Sequence, residues 1–202
     1  MANVRNLTIR NGGVIHFTLS GSTAFEPRRT YAFNETVRIM ARSSIMMHNP
    51  RANSNFYTLK ARVLLVEGGA LVSARSINIL AENLTVDDGG VINVSNGGFL
   101  PYKGRGSVAT STAKRCGAGH GGAGGRGDCG GFQTCRLRRG SPYGNVYFPM
   151  EYGSGGDGPN AGVGGGILNI KLLDTLQVTI VMFDKRIRIQ RSFRKSNLKD
   201  LI

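Results

Sequence analysis

Four residues of metal-ligand or redox type fall close together: Cys116, His120, Cys129 and Cys135. Thiolate and imidazole are the usual ligands of structural zinc. Their spacing, C-x3-H-x8-C-x5-C, lacks the tight C-x2-C knuckle of common zinc sites. One disulfide plus one remaining thiol is the simpler arithmetic, and the spacing does not choose the pair. A disulfide among Cys116, Cys129 and Cys135 would staple a long loop in an oxidising compartment. No metal ion and no cofactor is expected.

Arg126-Gly127-Asp128 lies between Cys116 and Cys129. A glycine hinge there sets a guanidinium and a carboxylate on opposite sides, as an adhesion tripeptide requires. Four Asn-x-Ser/Thr sequons start at Asn6, Asn34, Asn83 and Asn93. Each is an N-glycosylation acceptor on a secreted chain, or an Asn and Thr used for turn and strand. Residues Gly117 to Gly122 spell G-x-G-x-x-G, but glycines follow where a dinucleotide site needs a helix.

Catalysis has little to stand on. Glycosidase chemistry needs two placed carboxylates. Asp87-Asp88 is the only adjacent acid pair, and it reads as a turn. His16 and His48 have no nucleophile beside them in sequence. No catalytic residue is assigned, and the chain is expected not to be an enzyme.

Lys and Arg number 26 against 12 Asp and Glu, a net charge of +14. That field attracts polyanions such as sulfated glycans or nucleic acid. The tail FDKRIRIQRSFRKSNLKDLI holds seven of the basic residues against two Asp. Arg105-Gly106, Arg126-Gly127 and Arg139-Gly140, with tyrosines interspersed, suit a basic stacking surface. No RNA-binding sheet signature accompanies them. No run of 18 apolar residues occurs, so no transmembrane helix is expected. The start, MANVRNLTIRNGG, has no apolar signal-peptide core; an extracellular chain would then be part of something longer.

The elements that must position these groups read as β. Leu7 and Ile9, then Gly12-Gly13, then Val14, Ile15, Phe17 and Leu19 read as strand, turn, strand. Strands follow around Asn34-Glu35, on both sides of Gly68-Gly69, and on both sides of Gly89-Gly90. NLTIRNGGVIHF (residues 6–17) and NLTVDDGGVINV (83–94) nearly repeat, 77 positions apart. A recurring strand–glycine–strand phrase predicts an all-β, single-stranded parallel β-helix-like solenoid. The alternative is a β-sandwich. The 21 residues from Gly68 to Gly89 do not divide 77, so coils of unequal length are needed.

Of 30 glycines, 25 lie from Gly89 to Gly166. The expected organisation is solenoid coils over 1–96, a glycine-rich insertion over 97–166, returning strands over 167–182, and a partly disordered basic tail over 183–202. A structureless loop of that length is anomalous in a compact domain. Packing on itself through glycine backbone and Tyr102, Tyr143, Tyr147 and Tyr152 is the alternative to disorder.

The ordered series Gly119-His120-Gly121-Gly122, Tyr143-Gly144, Pro149, Gly153-Ser154-Gly155-Gly156 and Gly164-Gly165-Gly166 resembles a group of large uncharacterised glycine-rich proteins of plants, animals and bacteria. The likeness runs over about residues 63–178. It implies a secreted or cell-surface β-helical repeat protein with no established reaction. After Val178 the tail does not resemble a further coil. The resulting expectation is a non-enzymatic structural or adhesive fragment, extracellular or at the cell surface. The alternatives are a carbohydrate-active β-helix enzyme and a glycan- or RNA-binding module.

Overall fold

The computed structural model describes residues 4–17, 28–47, 56–107, 117–120, 122–125, 139–145, 150–157, 161–178 and 190–191. Among these every regular element is a strand. In chain order they are β1 (Leu7–Ile9), β2 (Val14–Phe17), β3 (Arg28–Ala32), β4 (Thr36–Ile39), β5 (Ser44–Met47) and β6 (Phe56–Lys60). Then come β7 (Val63–Val66), β8 (Leu71–Ala74), β9 (Ser76–Val86), β10 (Val91–Asn93), β11 (Ile167–Val178) and β12 (Gln190–Arg191). The chain divides into two compact units, Met1–Asn93 with Leu168–Ile202, and Val94–Ile167.

The first unit is two sheets. One runs β1-β4-β7-β9-β11-β12, with β6 also paired to β9 and β3 to β6; the other runs β10-β8-β5-β2. Wherever register is defined the pairing is parallel. A β-sandwich of the immunoglobulin kind is built from antiparallel sheets, so the sandwich alternative does not fit this pairing. Tail residues Gln190 and Arg191 pair with Lys171 and Leu172 of β11.

Register explains the repeated phrase. Leu7, Val37, Leu64 and Leu84 are successive partners, as are Ile15, Ile45, Val72 and Ile92. The steps are 30, 27 and 20 residues, and together they make the 77 that separates the two phrases. The register carries through from pass to pass; the connections differ. Ten residues, 18–27, join β2 to β3; eight, 48–55, join β5 to β6; Arg75 alone joins β8 to β9.

The corners repeat as well. Gly12, Arg42, Gly69 and Gly89 occupy one line, with φ of 73°, 62°, 75° and 77°. That left-handed conformation turns the chain from one sheet to the other, and it favours glycine because no Cβ meets the carbonyl. The middle of the stack is filled by side chains. Val37, Ile39, Ile45, Met47, Val72, Ile77 and Ile79 are completely buried. Aliphatic and β-branched residues suit a pleated surface covered on its inner face.

Polar residues line up outside this core. Asn78 Nδ2 reaches Thr58 Oγ1 at 3.4 Å, and Asn169 Nδ2 donates to Asn78 Oδ1 at 3.0 Å. Arg38 holds Glu67 at 2.6 Å across neighbouring strands. Two strands are not legible in the sequence: β5, SIMM, carries no alternation and follows Ala41-Arg42 instead of a glycine pair, and β12, QR, lies within the basic tail.

Candidate functional site

The residues that could do chemistry gather in the second unit, so its construction decides what they can do. Its described part contains the short segments 98–107, 117–120, 122–125, 139–145, 150–157 and 161–166, none forming a sheet ladder among themselves. Their backbone groups still need partners. They find them in closed triangles. Phe99 N–H donates to Gly153 O (2.9 Å), Gly153 N–H to Gly165 O (2.9 Å), and Gly164 N–H back to Phe99 O (2.9 Å). A second triangle runs from Gly117 N–H to Gly125 O (3.0 Å), Gly124 N–H to Gly140 O (2.9 Å) and Gly140 N–H to Gly117 O (3.0 Å). Gly119 N–H, donating to Gly106 O at 2.9 Å, ties the second triangle to the segment that starts the first.

Such packing needs bare backbone. A Cβ on Gly164 would fall on the Gly153 carbonyl, one on Gly124 on the Gly117 carbonyl, and one on Gly140 on the Gly106 carbonyl. Glycine sits at the crowded axis of collagen for the same steric reason. By contrast, a Cβ on Gly122, Gly125, Gly162 or Gly165 would meet nothing within 4 Å. The described part of the region packs on itself through glycine backbone.

Side chains lock the bundle. Gly106 N–H donates to Ser154 Oγ at 2.9 Å. Ser154 Oγ donates to Tyr143 Oη at 2.8 Å, and Tyr143 Oη donates to the Tyr152 carbonyl at 2.5 Å. The His120 ring stands edge-on to Tyr143, centroids 4.7 Å apart. A Cβ on Gly144 would meet the same imidazole at 3.4 Å, so Tyr143 and the bare backbone of Gly144 both border it. Phe99 packs edge-on to Tyr152 at 6.0 Å, and Arg105 forms an ion pair with Glu151. His120, Tyr143-Gly144 and Ser154, scattered over 35 positions, meet here.

This hydrogen-bond chain begins on a backbone amide and ends on a backbone carbonyl. Ser154 Oγ spends its proton on Tyr143 and receives one from an amide. A serine nucleophile needs a base to take its proton, and that place is held by a phenol. The arrangement is a fastener between segments.

The other sequence-assigned residues are placed as follows. Cys116, Cys129, Cys135 and the tripeptide Arg126, Gly127, Asp128 lie outside the described residues. Asn6 and Asn34 are exposed, Asn83 and Asn93 half-buried. Asn6 is engaged: its Oδ1 accepts from Thr36 N–H at 3.0 Å and its Nδ2 donates to Glu35 at 3.1 Å. Asp87 and Asp88 are exposed at the corner before Gly89. Among the described residues no three His, Cys, Asp or Glu side chains come together in a way that could hold a metal ion. No described helix is long and apolar enough to cross a membrane.

Sequence reasoning missed Asp157. It is 4% exposed, and neither carboxylate oxygen has a hydrogen-bond partner among the described residues. Its setting, Gly-Gly-Asp-Gly-Pro, reads as an ordinary turn and gives no sign of burial. The neighbouring residues 158–160 lie outside the description. Protein-family models, curated proteins and solved structures provide no match to the chain.

Proposed function

We propose that this chain is a structural, non-enzymatic piece of an extracellular or cell-surface protein. On this reading the parallel passes wind as a β-helix-like solenoid, and the glycine bundle is a second module of the same chain. The glycine-rich repeat proteins that the sequence resembles are of this kind. The observation that carries the reading is the Gly106–Ser154–Tyr143–Tyr152 chain. Among the described residues, the Ser154 and Tyr143 hydroxyls are occupied in holding backbone to backbone. Stacking over long steps supports a scaffold role too, since such stacks build extended surfaces.

A polyanion-binding role finds less support in the described part. Eleven described Lys and Arg side chains stand against eight Asp and Glu, an excess of three, where the whole chain has fourteen. Most of the positive excess belongs to residues outside the described fold. The test is to pass the purified chain over immobilised polysaccharides and matrix glycoproteins while assaying new reducing or unsaturated ends. Retention without new chain ends is expected. Release of such ends, lost on Ser154→Ala, would overturn the reading in favour of a carbohydrate-active enzyme.

A further inference from the structure

The first pass of the stack has one open side. β1, β2 and β3 each pair with a single neighbour among the described strands: β4, β5 and β6. Its inward residues are correspondingly less covered. Leu7, Ile15 and Phe17 are half-buried, whereas their partners Val37, Ile45 and Met47 are fully buried. Val14 is 51% exposed on the same strand pair. Stacked repeats ordinarily close such an end with a polar cap.

Charge says what would fit there. One line of residues joined by backbone hydrogen bonds reads Arg5, Glu35, Arg62, Glu82, with N–H to O distances of 2.9, 2.9 and 3.0 Å. The signs alternate at every step, and neighbouring strands lie roughly 4.8 Å apart. One residue beyond the Ile9–Ile39–Val66–Val86 line stand Arg10, Met40, Glu67 and Asp87. At both positions the open pass ends on an exposed arginine. The next strand outward therefore meets Arg5 and Arg10 with carboxylates, and Leu7 and Ile9 with aliphatic side chains. The fourth pass carries that set: Glu82, Leu84, Val86 and Asp87.

We propose that the open side of the first pass is a docking edge for a partner chain's acidic strand–turn–strand segment, which would extend both sheets by one strand. The inference rests on the scaffold reading, but a failed docking test leaves the absence of chain cleavage untouched. Main-chain hydrogen bonds along β1 and β2 supply affinity, and alternate side-chain pockets supply selection. Positive charge can also guard an edge against aggregation. Such a guard repels basic strands and leaves an acidic one free to pair.

The probe is a synthetic peptide of residues 82–94, titrated into the full chain at low and high salt. Hydrogen exchange reads the site, and anisotropy of the labelled peptide reads affinity. Slower exchange over Leu7–Ile9 and Val14–Phe17, and binding that weakens with salt, are expected. Arg5→Glu with Arg10→Glu lowers affinity about tenfold, from two exposed charge pairs. A peptide with Glu82→Arg and Asp87→Arg recovers it. Protection elsewhere, no protection, or indifference to charge reversal overturns the proposal. Protection of the same amides by raising protein concentration without peptide also overturns it, because a second copy then fills the edge.

Discussion

The strand stack and the glycine bundle solve the same problem with opposite materials. In the stack, backbone pairs along ladders and the space between sheets is filled by Val, Ile, Leu and Met. In the bundle, backbone pairs in triangles and the shared axis is kept clear of side chains. The stack tolerates exchange among aliphatic residues, as Leu7, Val37, Leu64 and Leu84 show on one line. It also tolerates connections of ten, eight or one residue. The bundle tolerates no exchange at Gly124, Gly140 or Gly164, where a single methyl meets a carbonyl rather than a gap. Filling by side chains gives latitude, and packing by backbone removes it.

The sharpest way to break that contrast is to add one methyl to two adjacent glycines. Gly164→Ala drives its Cβ onto the Gly153 carbonyl, and Gly165→Ala meets open space. Overpacking costs about 1–3 kcal/mol, and more where only backbone can give way. We expect Gly164→Ala to open the bundle, read as fast hydrogen exchange over residues 98–107 and 150–157. Exchange in β4–β8 should stay slow. Gly165→Ala should leave both regions unchanged. Equal behaviour of the two variants would mean that the triangles are not close-packed.

A smaller effect is expected at the fastener. Tyr143→Phe keeps the ring against His120 but removes the hydroxyl that links Ser154 to the Tyr152 carbonyl. Losing a part-buried hydroxyl with two partners costs about 1–3 kcal/mol, mostly the penalty on the groups left behind. Urea unfolding followed by tyrosine fluorescence measures it, with Tyr102→Phe, which is exposed, as the control. If both variants lose equally little, the hydrogen-bond chain is not what fastens the segments.

The two regions also differ in how far they were legible. The strand–glycine–strand phrases announced the corners because left-handed φ and glycine go together. The 77-residue offset reads as irregular because connections of ten, eight and one residue leave no periodic mark on the chain. β5 was invisible for a related reason. Its corner carries Arg42 where the other three carry glycine, so the punctuation was missing although the turn is present. In the bundle, glycine content signalled close backbone approach, but which glycines touch which carbonyls depends on partners far apart in sequence. His120, Tyr143 and Ser154 stood out as an ordered series, yet nothing in their spacing says that two of them share a hydrogen bond.

Arg42 supplies the smallest and most particular expectation, in which the stack behaves for once like the bundle. The residue has φ 62° in line with Gly12, Gly69 and Gly89. There is space for its side chain, which is exposed. The cost is conformational: a non-glycine residue in this region loses roughly 1–2 kcal/mol. Arg42→Gly removes that cost, while the looser unfolded chain returns about 0.4–1 kcal/mol of it. A net gain of about 0.5–1 kcal/mol should remain, seen as a small rise in the urea midpoint at unchanged slope. Gly69→Ala should move the midpoint the opposite way by a similar amount, for the same φ and without a clash. If Arg42→Gly destabilises instead, the arginine's place at this corner rests on contacts of its side chain, and the corner line is not a glycine line at all.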